Sequence, residues 1–464
     1  MTLTADLTRL VRTKPVRDAD LDRAALSVLD AAACFLAGTN SDQGKRLLSW
    51  ARAAGHLTGD GLTGDPTRIA FLLGALAHIL EIDDLHRGST LHPGCAVIPV
   101  LWGEREAAEH PIDGRLALTA VLQGYEAAAR IGMAVGPAHY KLWHNTATCG
   151  PFGAAMAAAA LLELGDGACV DALGNAGTQA AGLWEFLSTG AMSKPLHAGR
   201  AAEAGLTAAQ LARHGLTGAP AILEGKRGFF AAMCPDAKPD LVLAEPDAPW
   251  QVHATSIKPW PACRHTHSAI DAAQELRRSL ISRGQNPSDI EKIEVGTYAA
   301  ALALCDDSDP DSDFAAKFSL QHCIAAALDR DEVWFDAFSN DARQELTQLR
   351  GRCHLQVLDA IDKRYPESWG TEIQITLPSG EVLTATRQHT KGDPELPLDA
   401  SAMIAKANRL LNHGGIAEPE RFIESILTMP DGAPIPPLPQ PLGRADRTDR
   451  DLRSDPAARN QVMS

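Results

Sequence analysis

What most limits the folds open to this chain is a succession of small-residue helices with almost no strand signal between them. From residue 1 to about residue 262, apolar positions recur three and four apart. Leu21, Ala25, Val28, Leu29, Ala32 and Phe35 form one such stripe, and Gly38 follows as a stop signal. The same spacing predicts helices over 69–82, 116–131 and 152–164. Segments 153–160 and 198–212 are built largely from Ala and Gly, which lets neighbouring backbones approach closely. Period-two alternation is nearly absent, so this part is predicted to be all-helical.

The pattern changes near Cys263. A helix is predicted over 267–280, a strand over 292–298 (KIEVGTY) and a further helix over 314–328. Segments 371–377 (TEIQITL) and 381–386 flank Pro378-Ser379-Gly380 and predict a β-hairpin. The expected fold is therefore mainly α, with a large all-helical domain over 1–262 and a smaller α+β domain over 263–392. Residues 393–464 rejoin the first domain through helices at 398–412 and 421–427 and end in a Pro-rich arm that is extended or disordered.

Composition narrows the function. Lys plus Arg is 43 against 58 Asp plus Glu, a net charge of −15 that argues against nucleic-acid and anionic-membrane partners. No apolar run is long enough to span a bilayer, and no leader pattern opens the chain. The nine cysteines are scattered without a CxxC pair. They fit a reduced, cytoplasmic enzyme better than a disulfide scaffold.

Five segments carry polar groups suited to chemistry. Residues 81–94 bring Glu81, Asp83, Asp84, His86, Arg87 and His92 to the end of an apolar helix, where carboxylates oppose the helix dipole; a solvated loop is the plain alternative. In 142–153, His144 precedes a Thr-rich Gly-Pro turn opening a helix, a place suited to an anion, although a lone histidine is more often structural. Lys194 lies between apolar helices, where burial would depress its pKa; otherwise it is a surface lysine. Segment 258–267 holds Lys258, Arg264, His265 and His267, and 316–322 ends in His322. His265-x-His267 is weak as a metal site without a third ligand.

Taken in order, the set DD…HPG, HxTxxxGPFGAA, SKxxHAGxAAxxG, KPxPxCRHTH and AKFS resembles the MmgE/PrpD family over nearly the whole chain. That family includes 2-methylcitrate dehydratases, cis-aconitate decarboxylases and iminodisuccinate epimerase. The resemblance implies a helical large domain with a smaller α+β domain, a homodimer, a small di- or tricarboxylate substrate, and no metal or organic cofactor. It also implies an interdomain active site including Asp83, Asp84, His92, His144, Lys194 and 263–267. Glu81 stands where the decarboxylases have Asp, Leu85 where they have Thr, and His322 where Tyr is typical.

The expected chemistry is proton movement on a carbon beside a carboxylate. His144 and Lys194 are the expected acid/base pair with His92 in support. Arg264, Lys258 and the turn from Thr146 would clamp substrate carboxylates, while Asp83 and Asp84 orient His86 or His92. His322, titrating near neutrality, would add a base on a second face. That makes an epimerase the leading expectation, with a dehydratase or a decarboxylase as alternatives. A metal-dependent hydrolase using Asp83, Asp84, His86 and His92, and a non-catalytic carboxylate binder, are the readings from other classes.

Overall fold

The computed structural model describes residues 2–58, 61–62 and 64–439. The tail beyond residue 439 lies outside the described residues. The Pro-rich stretch before it, up to residue 439, is packed on the helical body: Trp102 Nε1 donates to the Pro436 carbonyl at 2.9 Å and Ile435 N–H to that of Ile112 at 3.2 Å.

The principal elements of the larger body are α1 (Asp18–Gly38), α2 (Pro66–His78), α3 (Gly114–Ala134), α4 (Asn145–Leu161) and α5 (Lys194–Arg213). Asp65 and Asp113 cap α2 and α3 through their side chains. These helices bury one continuous apolar core, which the C-terminal helices of the chain rejoin through Ala407, Leu410, Phe422 and Ile426. The small residues act where α4 and α5 cross. A Cβ on Gly205 would sit 2.4 Å from Ala154 Cβ and 2.6 Å from the Pro151 carbonyl, so only glycine allows that approach.

A second core draws on residues from Trp260 to Ala385 and on Leu85. It lies between α6 (His267–Ser282), α7 (Leu320–Asp329) and a four-stranded sheet of β1 (Lys292–Thr297), β2 (Cys353–Val357), β3 (Thr371–Thr376) and β4 (Val382–Arg387). The strand order is β2-β1-β3-β4, parallel between β1 and β2 and antiparallel elsewhere. Helices α8 (Ala400–His413) and α9 (Pro419–Leu427) return to the first core.

Four local readings of the sequence are corrected. The helix expected over 69–82 stops at His78, so the following carboxylates lie beyond the helix. Helix α4 starts at Asn145 and runs through Pro151, so residues 145–150 are already helical. The helix expected over 314–328 breaks at Lys317–Ser319, because Ser319 Oγ accepts the His322 N–H and restarts the helix. Strand β2 is an addition to the sequence reading: CHLQV alternates, but it is a five-residue edge strand with no fully buried position.

Candidate active site

The site is built on the six residues after α2. Past His78 the chain turns through Glu81, whose φ of 59° is left-handed. Three successive carbonyls then each accept an ammonium from a different part of the chain. Leu80 takes Lys317 at 3.2 Å, Glu81 takes Lys258 at 3.1 Å, and Ile82 takes Lys406 at 2.8 Å. Asp30 holds Lys406 from its other side at 2.6 Å.

The Glu81 side chain faces the same lysines. Lys194 Nζ donates to its Oε1, and Lys258 Nζ is 3.6 Å from Oε2. Burial alone would raise the Glu81 pKa, but the two ammonium groups outweigh it and hold the carboxyl down at about 2. The same pairing corrects the expectation for Lys194. Burial does oppose its charge, yet Glu81 keeps it above the ordinary lysine value, so it is a held cation rather than a free base. Lys317 is the lysine that burial lowers, to about 8.

Three buried imidazoles complete the cluster, and the charges of Lys194 and Lys258 act on them. His78 Nδ1–H donates to Asp83 Oδ2 at 2.7 Å. His92 Nδ1–H donates to the Asp84 carbonyl at 2.5 Å and lies 3.4 Å from Asp83 Oδ2. His144 Nδ1 lies 3.2 Å from His197 Nδ1, and Trp184 covers its ring at 4.5 Å. Ring centroids are 4.6 Å apart for His78–His92, 5.5 Å for His78–His144 and 6.3 Å for His92–His144. Burial holds His92 and His144 well below the ordinary imidazole value, against the opposing Asp83 charge in the case of His92. His78 and His92 pull the buried Asp83 carboxyl far down despite its desolvation.

His78 was missed in the sequence because it reads as one more buried position of an apolar helix. The available signal was a polar ring five residues before an Asp pair, at the point where the helix must end.

Other expected site residues have different tasks. Thr146 Oγ1 accepts the His92 N–H at 3.0 Å and so places that loop against α4. Asp84 does not orient His86; its carboxylate takes Tyr125 Oη–H at 2.7 Å and Gly94 N–H at 3.0 Å, and burial raises its pKa to about 7. His86 is tied to Ser89 and Gln251, and desolvation lowers it to about 4. Arg264 is committed to Asp393, an acid shared with Ser256 and Arg87. His265 stacks on Trp369 at 4.3 Å and bonds Tyr298 Oη, and burial lowers it to about 3. His267 donates to the Ala262 carbonyl.

His322 is the plainest correction. It sits in the second core beside Phe338, donates from Nε2 to the Ala337 carbonyl at 2.8 Å, and is lowered by burial to about 4. It does not titrate near neutrality, and its contacts are with the small domain, not with the imidazole cluster.

Buried imidazoles, lysines and a low-pKa glutamate thus gather at a junction between a helical body and an α+β body. Comparison with known proteins places it. The MmgE/PrpD N-terminal domain matches residues 4–242 and the MmgE/PrpD C-terminal domain residues 260–429. The chain belongs to the MmgE/PrpD family and is an enzyme of the lyase or isomerase kind. A cis-aconitate decarboxylase of Aspergillus terreus is 26% identical over 446 residues, covering 89% of this chain and 90% of that protein. The cis-aconitate decarboxylases of Mus musculus and Homo sapiens are 28% and 26% identical, covering 82% and 79% of this chain and 80% and 78% of their own lengths. Among the described residues, no helix is long and apolar enough to cross a membrane.

Proposed function

We propose that this chain is a lyase that decarboxylates cis-aconitate or a closely similar unsaturated tricarboxylate. The observation that carries the reading is the gathering of His78, His92 and His144 near Lys194 and Lys258, with Lys317 bound to the same loop at Leu80, in a protein whose relatives include cis-aconitate decarboxylases. A trianion needs cations that are already desolvated, and here the three lysines outnumber Glu81 and Asp83.

In the reaction, the C–C bond to one carboxylate breaks and its electron pair forms a new double bond. The former double bond places its pair on the far carbon, which takes one proton. Trianion plus proton thus gives a methylene dicarboxylate plus CO2. The bound trianion opposes the desolvation that keeps His144 neutral and raises its pKa, so His144 takes up the proton it then donates, and the His78–Asp83 pair and His92 fix the orientation and tautomers of the imidazole cluster. Lys194 and Lys258 hold the carboxylates that remain.

The epimerase expectation drew its support from a second-face base at His322. With that ring bonded to Ala337, the support for it is gone, and the relatives favour the lyase. Proton NMR of the enzyme with cis-aconitate in D2O tests the proposal. Expected are a new methylene pair, CO2 release and one deuteron in the product. Turnover of 2-methylcitrate or interconversion of iminodisuccinate stereoisomers, with cis-aconitate untouched, would overturn it.

A further inference from the structure

The three imidazoles have a second property that proton transfer does not require. The ligand nitrogens of His78, His92 and His144 lie within 4.8 Å of one another, and all three side chains are buried. Every Nδ1 is occupied, by Asp83, by the Asp84 carbonyl and by His197. Each ring therefore has Nε2 left to offer, and in His78, which is fully buried, that atom has no partner. Imidazoles that ligate a metal through one nitrogen are held this way, with the other N–H donated to a carboxylate or carbonyl.

We propose that His78, His92 and His144 form a three-imidazole site for a divalent transition metal of the zinc type. A metal bound there would inhibit by occupying the space the substrate uses, and would take no part in turnover. Imidazole suits zinc, cobalt, nickel and copper and not calcium or magnesium, so the class of ion follows from the donors. Zinc–nitrogen bonds of about 2.0–2.1 Å place tetrahedral ligands about 3.4 Å apart, so the rings need to close by no more than about 1.4 Å. Asp83 supplies negative charge beside His78, and Lys194, the cation whose charge acts on His144, is already answered by Glu81.

Another cluster with metal-ligating atoms, His389, Asp393 and Glu395, is committed to Arg87 and Arg264 and is half open to solvent. It serves as the internal comparison. The binding half of the proposal rests on geometry alone; competition with substrate rests on the lyase reading.

Chelator-stripped full-length protein is titrated with Co2+ and then with Zn2+. One equivalent should bind with the intense visible band of tetrahedral cobalt, and zinc should displace it. X-ray absorption of the zinc-loaded wild type should show a shell of about three imidazole nitrogens near 2.0 Å, a readout that needs no variant. His78→Ala and His144→Ala should each weaken binding at least 100-fold, and Asp83→Asn about 10- to 100-fold. Binding without stoichiometry, a carboxylate-dominated shell, or unchanged affinity in both His variants would overturn the site. Displacement of zinc by cis-aconitate supports the competition. Tight zinc binding that cis-aconitate does not displace would count against the lyase reading while leaving the metal site standing.

Discussion

Two groups of three buried histidines sit in this protein, and their environments separate them. In the large domain, His78, His92 and His144 lie with ring centroids 4.6 to 6.3 Å apart, each tied by a single nitrogen. In the small domain, His265 is stacked on Trp369, His267 is bonded to Ala262 and His322 to Ala337, each in a separate packing niche. Burial does not distinguish them, since all six are nearly inaccessible. What differs is whether the free nitrogens converge. Convergence marks chemistry; isolation marks packing.

The sharpest way to break this contrast is His144→Ala, expected to lower cis-aconitate turnover by about 10²- to 10⁴-fold with the thermal unfolding midpoint little changed. A near-normal rate would erase the distinction between the groups. Next, Lys194→Ala should reduce kcat/KM by about 100-fold or more and destabilise the fold by about 3–5 kcal/mol, because Glu81 stays buried with Lys258 3.6 Å away to answer it. Adding Glu81→Gln should restore the stability and not the activity.

A smaller effect is expected from pH. Lys317 carries a pKa lowered to about 8, so kcat/KM for the trianion should fall as pH rises through about 8 and Lys317 loses its charge. In Lys317→Arg that limb should move to higher pH, and an unmoved limb would assign it to another group.

The smallest effect on activity belongs to His322→Gln, where the amide can still donate to Ala337; the rate should change less than about 3-fold. Its mark is on stability. The folded pKa of about 4 lies below the unfolded value of about 6.5. Stability from the neutral ring is thus complete above about pH 6.5 and is lost as pH falls through about 4. Urea unfolding of His322→Gln between those values should show a flatter acid limb, and a loss of activity like that of His144→Ala would merge the two groups.

The helices of the large domain were legible because apolar spacing fixes which face is buried, and tertiary packing agrees with it. The β-hairpin was legible from its alternation and its Gly-containing turn. His144, Lys194, Asp83 and His92 were legible as polar residues in ordered segments. Partners were not. Nothing local tells that Lys194 meets Glu81, 113 residues away, or that Arg264 meets Asp393. The pKa of Lys194 could therefore be argued in only one direction, that of burial, and the other direction won. His78 was hidden by its neighbours, and His322 was overvalued because a histidine where Tyr is typical looks free to titrate near neutrality until its helix is packed.

The three carbonyls of Leu80, Glu81 and Ile82 also bear on how the enzyme can be divided. Every imidazole of the cluster lies before residue 200, so a fragment ending near residue 250 would contain all of them. The ammonium groups that pin the loop come from Lys258, Lys317 and Lys406, all beyond that cut. Such a fragment would hold the reactive groups without the means to aim them. The two halves of the polypeptide are complementary parts of one candidate site, and the work of the C-terminal half begins on the N-terminal half's own backbone.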